Sequence, residues 1–253
     1  MTTLQSLDPW LVRTQPQPQA RLRLLCFPYA GGGAAIYRTW PKSLPPTVEV
    51  WAIQLPGRET RFREPRLTRL EPLISRLAEL LTPHLTLPFA CFGHSMGALI
   101  SFELTRRLRE QGGPQPRHLL VSARRAPQLP RSRPLTYNLP DAEFVAELRR
   151  LSGTPEEVLR HQELLELMMP LLRADLEINE TYQYQPGAPL DCPISVFGGL
   201  EDTTTHPAEL PPWQEQTRST FNLRMFPGGH FFLNRAPLDI TRAVAQELTP
   251  HLE

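Results

Sequence analysis

Phe89-Ala-Cys-Phe-Gly-His-Ser-Met-Gly-Ala98 is the stretch that decides the fold. Its first four residues form an apolar run without charges, the pattern of a buried strand. Beyond Ala98, Ile100, Leu104 and Leu108 recur at helical spacing until Gly112 and Gly113 end the pattern. Between strand and helix stands Gly93-x-Ser95-x-Gly97. A chain passing from strand to helix in so few residues must turn sharply, and the flanking glycines keep side chains out of the bend. The serine at the apex is then held in a strained conformation, its hydroxyl lifted above the sheet and beside the helix start, where negative charge is favoured. Ser95 is the expected nucleophile.

Comparable apolar runs occur at Leu22–Phe27, Val48–Ile53, Leu119–Ser122, Ile194–Phe197 and Phe221–Met225. They predict central strands of a mostly parallel sheet, buried on both faces. Leu70, Leu73, Leu77 and Leu81 share one helix face, and Ile240, Val244 and Leu248 share another on a helix beginning near Pro237. This alternation predicts the α/β-hydrolase fold, a mostly parallel central sheet flanked by helices. Residues 124–189 carry no strand pattern but helical spacing through Phe144–Leu148, Val158–Met169 and Leu171–Ile178. They read as a helical lid insertion that divides a core of residues 21–123 and 190–253. Residues 1–20, ending in the polar run Thr14–Gln19, read as a flexible arm.

The chain has 253 residues, a formal net charge of +1 and 40% hydrophobic residues, enough for one domain with an insertion. Near-neutral charge supplies no drive toward nucleic acid or an anionic membrane. The N-terminus lacks a secretory pattern and no apolar stretch matches a bilayer, so a cytoplasmic protein without stable membrane association, and by default a monomer, is expected. Cys26, Cys91 and Cys192 lie in or beside apolar runs, with spacing that fits neither a metal site nor a disulfide framework, and read as buried free thiols.

A hydroxyl needs a base to take its proton. Among the seven histidines, His94 adjoins the serine and should pack or hydrogen-bond beneath it. His230 follows the last strand in Arg224-Met-Phe-Pro-Gly-Gly-His-Phe-Phe-Leu233, where it can reach the carboxyl edge of the sheet from a flexible turn. The third member must accept a bond from that imidazole and hold its tautomer. Asp202 ends Ile194-Ser-Val-Phe-Gly-Gly-Leu-Glu-Asp202, just past a strand, which sets serine, acid and histidine in the chain order of this fold. Glu201 is the adjacent rival, while Asp175 reads as a helix salt bridge or cap. The oxyanion requires two backbone amides. Met96, directly after the serine, supplies one, and the loop Phe27-Pro-Tyr-Ala-Gly-Gly-Gly33 supplies the other from Ala30, with Tyr29 as the alternative.

Several stretches together resemble a type II thioesterase, the discrete editing enzyme of nonribosomal peptide and polyketide synthesis. They are Leu25-Cys-Phe-Pro-Tyr-Ala-Gly-Gly-Gly33, Gln54-Leu-Pro-Gly-Arg-Glu59, Phe92-Gly-His-Ser-Met-Gly-Ala98, Leu171-Leu-Arg-Ala-Asp175 and Phe226-Pro-Gly-Gly-His-Phe-Phe232. The resemblance covers nearly the whole chain from about residue 20. It implies hydrolysis of stalled or mis-primed acyl groups from the phosphopantetheine thiol of acyl or peptidyl carrier domains, with Ser95, Asp202 and His230 as triad and the amides of Ala30 and Met96 as oxyanion donors. No metal or cofactor is implied. Arginines at 58, 61, 63 and 66, or at 124, 125, 131 and 133, are candidates for a rim facing an acidic carrier, against the plainer reading of solvated side chains. Met168 and Met169 are candidates for the lining of an acyl channel, against helix packing. The Thr203-Thr-Thr205 run beyond Asp202 is more polar than the resemblance leads one to expect. The rival readings are a medium-chain thioesterase serving fatty acid synthase, a carboxylesterase or lipase, and a non-catalytic interaction protein on the same fold.

Overall fold

Six of the seven strands lie at or within two residues of the apolar runs. The computed structural model describes residues 8–131 and 133–252. Its strands are β1 (Leu11–Arg13), β2 (Leu22–Phe27), β3 (Val48–Ile53), β4 (Phe89–His94), β5 (Leu119–Ser122), β6 (Ile194–Gly199) and β7 (Phe221–Phe226). They form one sheet in the order β1-β3-β2-β4-β5-β6-β7, with β1 antiparallel to β3 and every other pair parallel. The helices are α1 (Leu70–Leu81), α2 (Met96–Glu110), α3 (Asp141–Leu151), α4 (Glu156–Arg160), α5 (Gln162–Glu180), α6 (Phe232–Arg235) and α7 (Pro237–Leu248).

Successive strand residues point to opposite faces, so each central strand feeds two cores. Leu25 and Phe27 of β2, Trp51 and Ile53 of β3, and Phe89 and Cys91 of β4 join Leu73, Leu77, Leu104 and Leu108 of α1 and α2 on one face. Leu24 and Cys26, Val50 and Ala52, and Ala90 and Phe92 join Ile240, Val244 and Leu248 of α7 on the other. Each fully buried Leu or Phe contributes roughly 1.5–3 kcal/mol. All three cysteines are buried and free.

Three expectations need correction. The expected arm is not loose throughout: Leu11–Arg13 is an edge strand, and the indole of Trp10 is buried beneath the Arg61 guanidinium, 4.3 Å from its centroid. The rest of that expectation, residues 1–7, lies outside the described residues. Strand β7 is not buried on both faces, because it forms the far edge and exposes Asn222, Leu223 and Arg224. The helical pattern from Val158 onward breaks at His161 rather than at Pro170, which sits inside α5. His161 caps α5, accepting the Leu164 amide on its ring nitrogen, whereas Pro170 only removes one donor from the helix.

Between β5 and β6 lie α3, α4 and α5. They carry a small core of their own, Phe144, Leu148, Leu159, Leu172 and Leu176. Leu164 and Leu167 near the start of α5 are exposed, while Ala174, Asp175 and Ile178 near its end are buried. That helix is therefore seated on the molecule by its second half.

The turn between β4 and α2 is set by contact. A Cβ on Gly97 would lie 2.0 Å from the carbonyl oxygen of Phe27, and one on Gly93 would lie 2.2 Å from the carbonyl oxygen of Gly97. Both clashes are with backbone, which cannot swing aside. Replacing Gly97 by alanine is expected to destabilise the fold by about 3 kcal/mol or more. A urea unfolding midpoint unchanged from the wild type would contradict this account of the turn.

Candidate active site

Ser95 stands between β4 and α2 with φ 54° and ψ −112°, a left-handed backbone rare for a residue with a side chain. Its amide donates to the Ser122 carbonyl at 2.8 Å, which ties the strained residue to the end of β5. Its Oγ lies 2.9 Å from Nε2 of His230, and Nδ1 of His230 lies 2.8 Å from Oδ2 of Asp202. An ionised carboxylate can only accept, so Nδ1 carries hydrogen and Nε2 of the neutral ring is left to accept from the serine hydroxyl. The structure thus brings together the three residues singled out from the sequence. The His230 and Asp202 side chains are 8% and 1% exposed, dry enough for these bonds to fix geometry.

The loop around Asp202 holds its carboxylate on both oxygens. While Oδ2 faces His230, Oδ1 accepts the amides of Thr204 (2.7 Å) and Thr205 (2.9 Å). The threonine run therefore supplies a backbone cradle. Burial alone would raise the Asp202 carboxyl, but the bond and charge of His230, with the two amides, outweigh it and hold the group below its ordinary value. Glu201 is exposed, and its amide donates to Gly228 at 2.9 Å, joining the acid loop to the turn that precedes His230.

His94 lies beneath this triad and serves as a strut. It is wholly buried, with Nδ1 2.8 Å from the Ser122 hydroxyl and Nε2 2.9 Å from the His230 carbonyl. A carbonyl only accepts, so Nε2 carries hydrogen and Nδ1 receives the hydroxyl proton. Burial, aided by His230, pushes its pKa down to about 3.

The glycine loop after β2 lies against the same turn, with the Tyr29 ring edge-on to His94 at 5.6 Å and the Pro28 carbonyl oxygen 2.7 Å from where a Cβ on Gly97 would stand. Tyr29–Gly32 is a tight turn closed by Gly32 N–H to the Tyr29 carbonyl (2.9 Å), with Gly31 at φ +78° in the third position, the signature of a type II turn. Ala30 occupies the second position, and Met96 is the first residue of α2, whose amide precedes the helical ladder. Among the described residues neither amide has a protein acceptor. Side chains of the Gln54–Glu59 stretch brace this loop. Gln54 Oε1 accepts from Ala34, Glu59 Oε1 from Ala35, and Arg58 Nη1 donates to the Gly32 carbonyl at 3.0 Å.

Arg58 also forms a bidentate pair with Asp175 of α5, Nη1 to Oδ2 and Nη2 to Oδ1, both 2.8 Å, and Asp175 Oδ2 accepts the Gly31 amide at 2.7 Å. Asp175 is 1% and Arg58 5% exposed. Asp175 is thus no local helix salt bridge or cap but a partner of a residue 117 positions away. Spacing alone could not reveal this; the only signal was that both residues sit in the stretches that carry the family resemblance. The first arginine rim also needs correction, because Arg58 and Arg61 are buried and committed inside the protein.

A cavity of about 1100 Å³ opens over Ser95 and His230. Its wall comes largely from the segment after β5, from the second half of α5 and from the residues just beyond that helix, including Arg124, Arg131, Arg133, Leu176 and Tyr182. Met168 and Met169 are not among its lining residues and instead pack against the Phe144–Leu176 core, since they lie on the α5 half farther from the sheet.

A parallel sheet whose central strand delivers a strained serine to a histidine and a buried aspartate defines a serine hydrolase of the α/β-hydrolase fold. The chain belongs to the thioesterase family, whose domain model matches residues 22–249. It is 43% identical over 248 residues to the gramicidin S biosynthesis protein GrsT of Aneurinibacillus migulanus, covering 98% of this chain and 97% of that one. The type II thioesterase BorB from the borrelidin biosynthetic cluster superposes with a TM-score of 0.86 at 40% identity, over 97% of this chain and 98% of that one. The human medium-chain S-acyl fatty acid synthase thioesterase is more distant, 32% identical over 225 residues, 85% of this chain and 82% of its own. The protein is accordingly an enzyme, a thioesterase.

His94 links this site to acid stability. Its folded pKa of about 3 lies below the ordinary 6.5, and burial likewise lowers His118 to about 4. Between these values the unfolded chain binds more protons than the folded one, so stability rises with pH. It is fully present above about pH 6.5 and is lost on acidification, by about 1.4 kcal/mol per pH unit for each histidine. Urea midpoints measured from pH 7 to 5 should fall, and His94→Gln should flatten the slope. A pH-independent midpoint would refute the assignment of His94 as a buried neutral strut.

Proposed function

We propose that this enzyme hydrolyses aberrant or stalled acyl groups from the phosphopantetheine thiol of carrier domains in a nonribosomal peptide or polyketide synthase. The observation that carries the reading is the hydrogen-bonded chain from Ser95 through His230 to Asp202 in a chain closely similar to GrsT and BorB.

In this reading Ser95 is the nucleophile. Its Oγ attacks the thioester carbonyl while Nε2 of His230 takes the hydroxyl proton, and Asp202 stabilises the imidazolium through Nδ1–H. The Ala30 and Met96 amides donate to the tetrahedral oxyanion. Collapse breaks the carbon–sulfur bond, His230 returns the proton to the departing thiolate, and an acyl-Ser95 ester remains. Water then attacks that ester with His230 as base, releasing a carboxylic acid and restoring the hydroxyl. The sum is thioester plus water to acid plus thiol, with no change of oxidation state, and the proposal assigns the proton transfers to His230 without a cofactor or metal. Helices α3, α4 and α5 act as the lid of the acyl chamber.

The partner is an acidic carrier domain, and the second arginine cluster supports this. Arg131 donates to the Glu180 carbonyl and Arg133 to the Thr203 carbonyl where they line the cavity, and among the described residues neither is paired with a carboxylate. No described helix is long and apolar enough to cross a membrane. A cytoplasmic enzyme acting as a monomer is part of the same proposal.

Purified protein is expected to cleave acyl-carrier thioesters at least ten-fold faster than the matching acyl-coenzyme A or simple oxygen esters. Ser95→Ala should abolish turnover, and Asp202→Asn should lower kcat on the order of 10³–10⁴-fold by disturbing the tautomer of His230. Equal or faster hydrolysis of oxygen esters would sink the carrier-thioester reading. Selective release of medium-chain fatty acyl groups would favour the fatty acid synthase alternative.

A further inference from the structure

We infer that the buried Arg58–Asp175 pair is a positioning device, holding the oxyanion loop in its working geometry by tying it to helix α5. The inference rests on Ala30 being an oxyanion donor, as proposed above.

The loop has little to hold it in place by itself. Gly31, Gly32 and Gly33 follow Ala30, and such a run loses more backbone entropy on ordering than any other sequence. The Tyr29–Gly32 bond closes the turn but does not orient it against Ser95. Tyr29, packed edge-on against His94 and Phe231, fixes the entry of the turn, and Gln54 and Glu59 hold the residues beyond Gly33, so what the clamp orients is the exit of the turn. Asp175 Oδ2 accepts the Gly31 amide at 2.7 Å, one peptide beyond Ala30, and Arg58 Nη1 donates to the Gly32 carbonyl at 3.0 Å. The two contacts grip the exit of the turn by its donor and by its acceptor. The pair itself is bidentate, at 2.8 Å on both limbs, so neither side chain is free to rotate.

Side-chain contact repeats the connection. A Cβ at Gly31 would lie 2.6 Å from Cδ2 of Leu172, so α5 also rests directly against the turn. Leu172 and Asp175 are three residues apart and share a helix face, and both meet the loop. The catalytic amide of Ala30 is therefore placed by a helix of the proposed lid rather than by the sheet alone. Helix α5 has one half exposed around Leu164 and Leu167 and the other seated by Asp175, with Pro170 between them. Rotation of the outer half leaves the clamp intact, whereas displacement of the whole helix withdraws the Gly31 acceptor and loosens the donor.

Three variants test this: Asp175→Asn, Arg58→Lys, and the double replacement Arg58→Met with Asp175→Leu. An apolar pair can fill a buried ion-pair site without loss of the fold, so the double variant removes the Gly31 acceptor while thermal unfolding verifies the structure. Two readouts are taken, kcat and KM on an acyl-carrier thioester, and the rate at which a fluorophosphonate labels Ser95. Labelling needs the oxyanion donors but no particular thioester. Misplacing a donor by about 1 Å is worth roughly 100-fold. The double variant is therefore expected to lose about 10- to 100-fold in kcat and in labelling rate, with KM within three-fold. Asp175→Asn, whose amide oxygen still accepts from Gly31 while its amide nitrogen faces Arg58, should show a smaller part of that loss. Arg58→Lys, which keeps a cation for Asp175, should lose at least five-fold less than the double variant. A folded double variant with wild-type kcat and labelling would overturn the inference, and so would a change confined to KM. If wild-type protein labels at Ser95 but cleaves no carrier thioester, the substrate reading fails while the labelling rates still decide the clamp.

Discussion

The contact of Gly97 with the carbonyl of Phe27 is the constraint on which the site depends. Because no side chain intervenes, α2 begins directly against the end of β2, and the residue two places earlier is forced into a left-handed conformation. Strain of this kind persists only when its surroundings over-determine it. Here the Ser95 amide is held by Ser122, and the glycine loop leaves β2 against the same turn. The nucleophile and the proposed oxyanion loop are thus neighbours through one close approach of two backbones.

The base and the acid are fastened differently. Neither belongs to a regular element, so their loops need support from outside. His94 supports the His230 carbonyl from below, and Gly228 receives the amide of Glu201 from the acid loop. Two threonine amides complete the aspartate's shell. Every one of these is a bond of 2.7–2.9 Å with a fixed direction, so the triad is assembled before substrate arrives. Preorganisation of this sort carries much of the catalytic effect in acyl transfer, since the dipoles need no rearrangement as charge develops.

Charge is divided between burial and the cavity wall. Arg58 and Arg61 are consumed inside the protein, one by Asp175 and one by Trp10 and Glu64. Arg131 and Arg133 line the chamber with backbone carbonyls as their acceptors. The fate of an arginine therefore differs within each cluster, since Arg63 of the first is exposed and Arg125 of the second pairs with Glu209. Sequence composition carries no information about which arginine meets a partner from a distant segment.

Much of the protein was legible in its sequence for a local reason. Strand and helix periodicity, the glycines of the elbow, and the placement of Asp202 and His230 just beyond strands are properties of short segments, where neighbouring residues decide the backbone. Ser95, Asp202 and His230 could be singled out because each sits in a segment whose local pattern exposes it. What tertiary structure decided are the long-range pairings: Trp10 closing an edge strand under Arg61, Met168 and Met169 turned away from the chamber, and Asp175 reaching Arg58 and Gly31. Such contacts join residues that share no period and no spacing. They follow from how layers stack, and only the folded chain brings their partners within hydrogen-bonding distance.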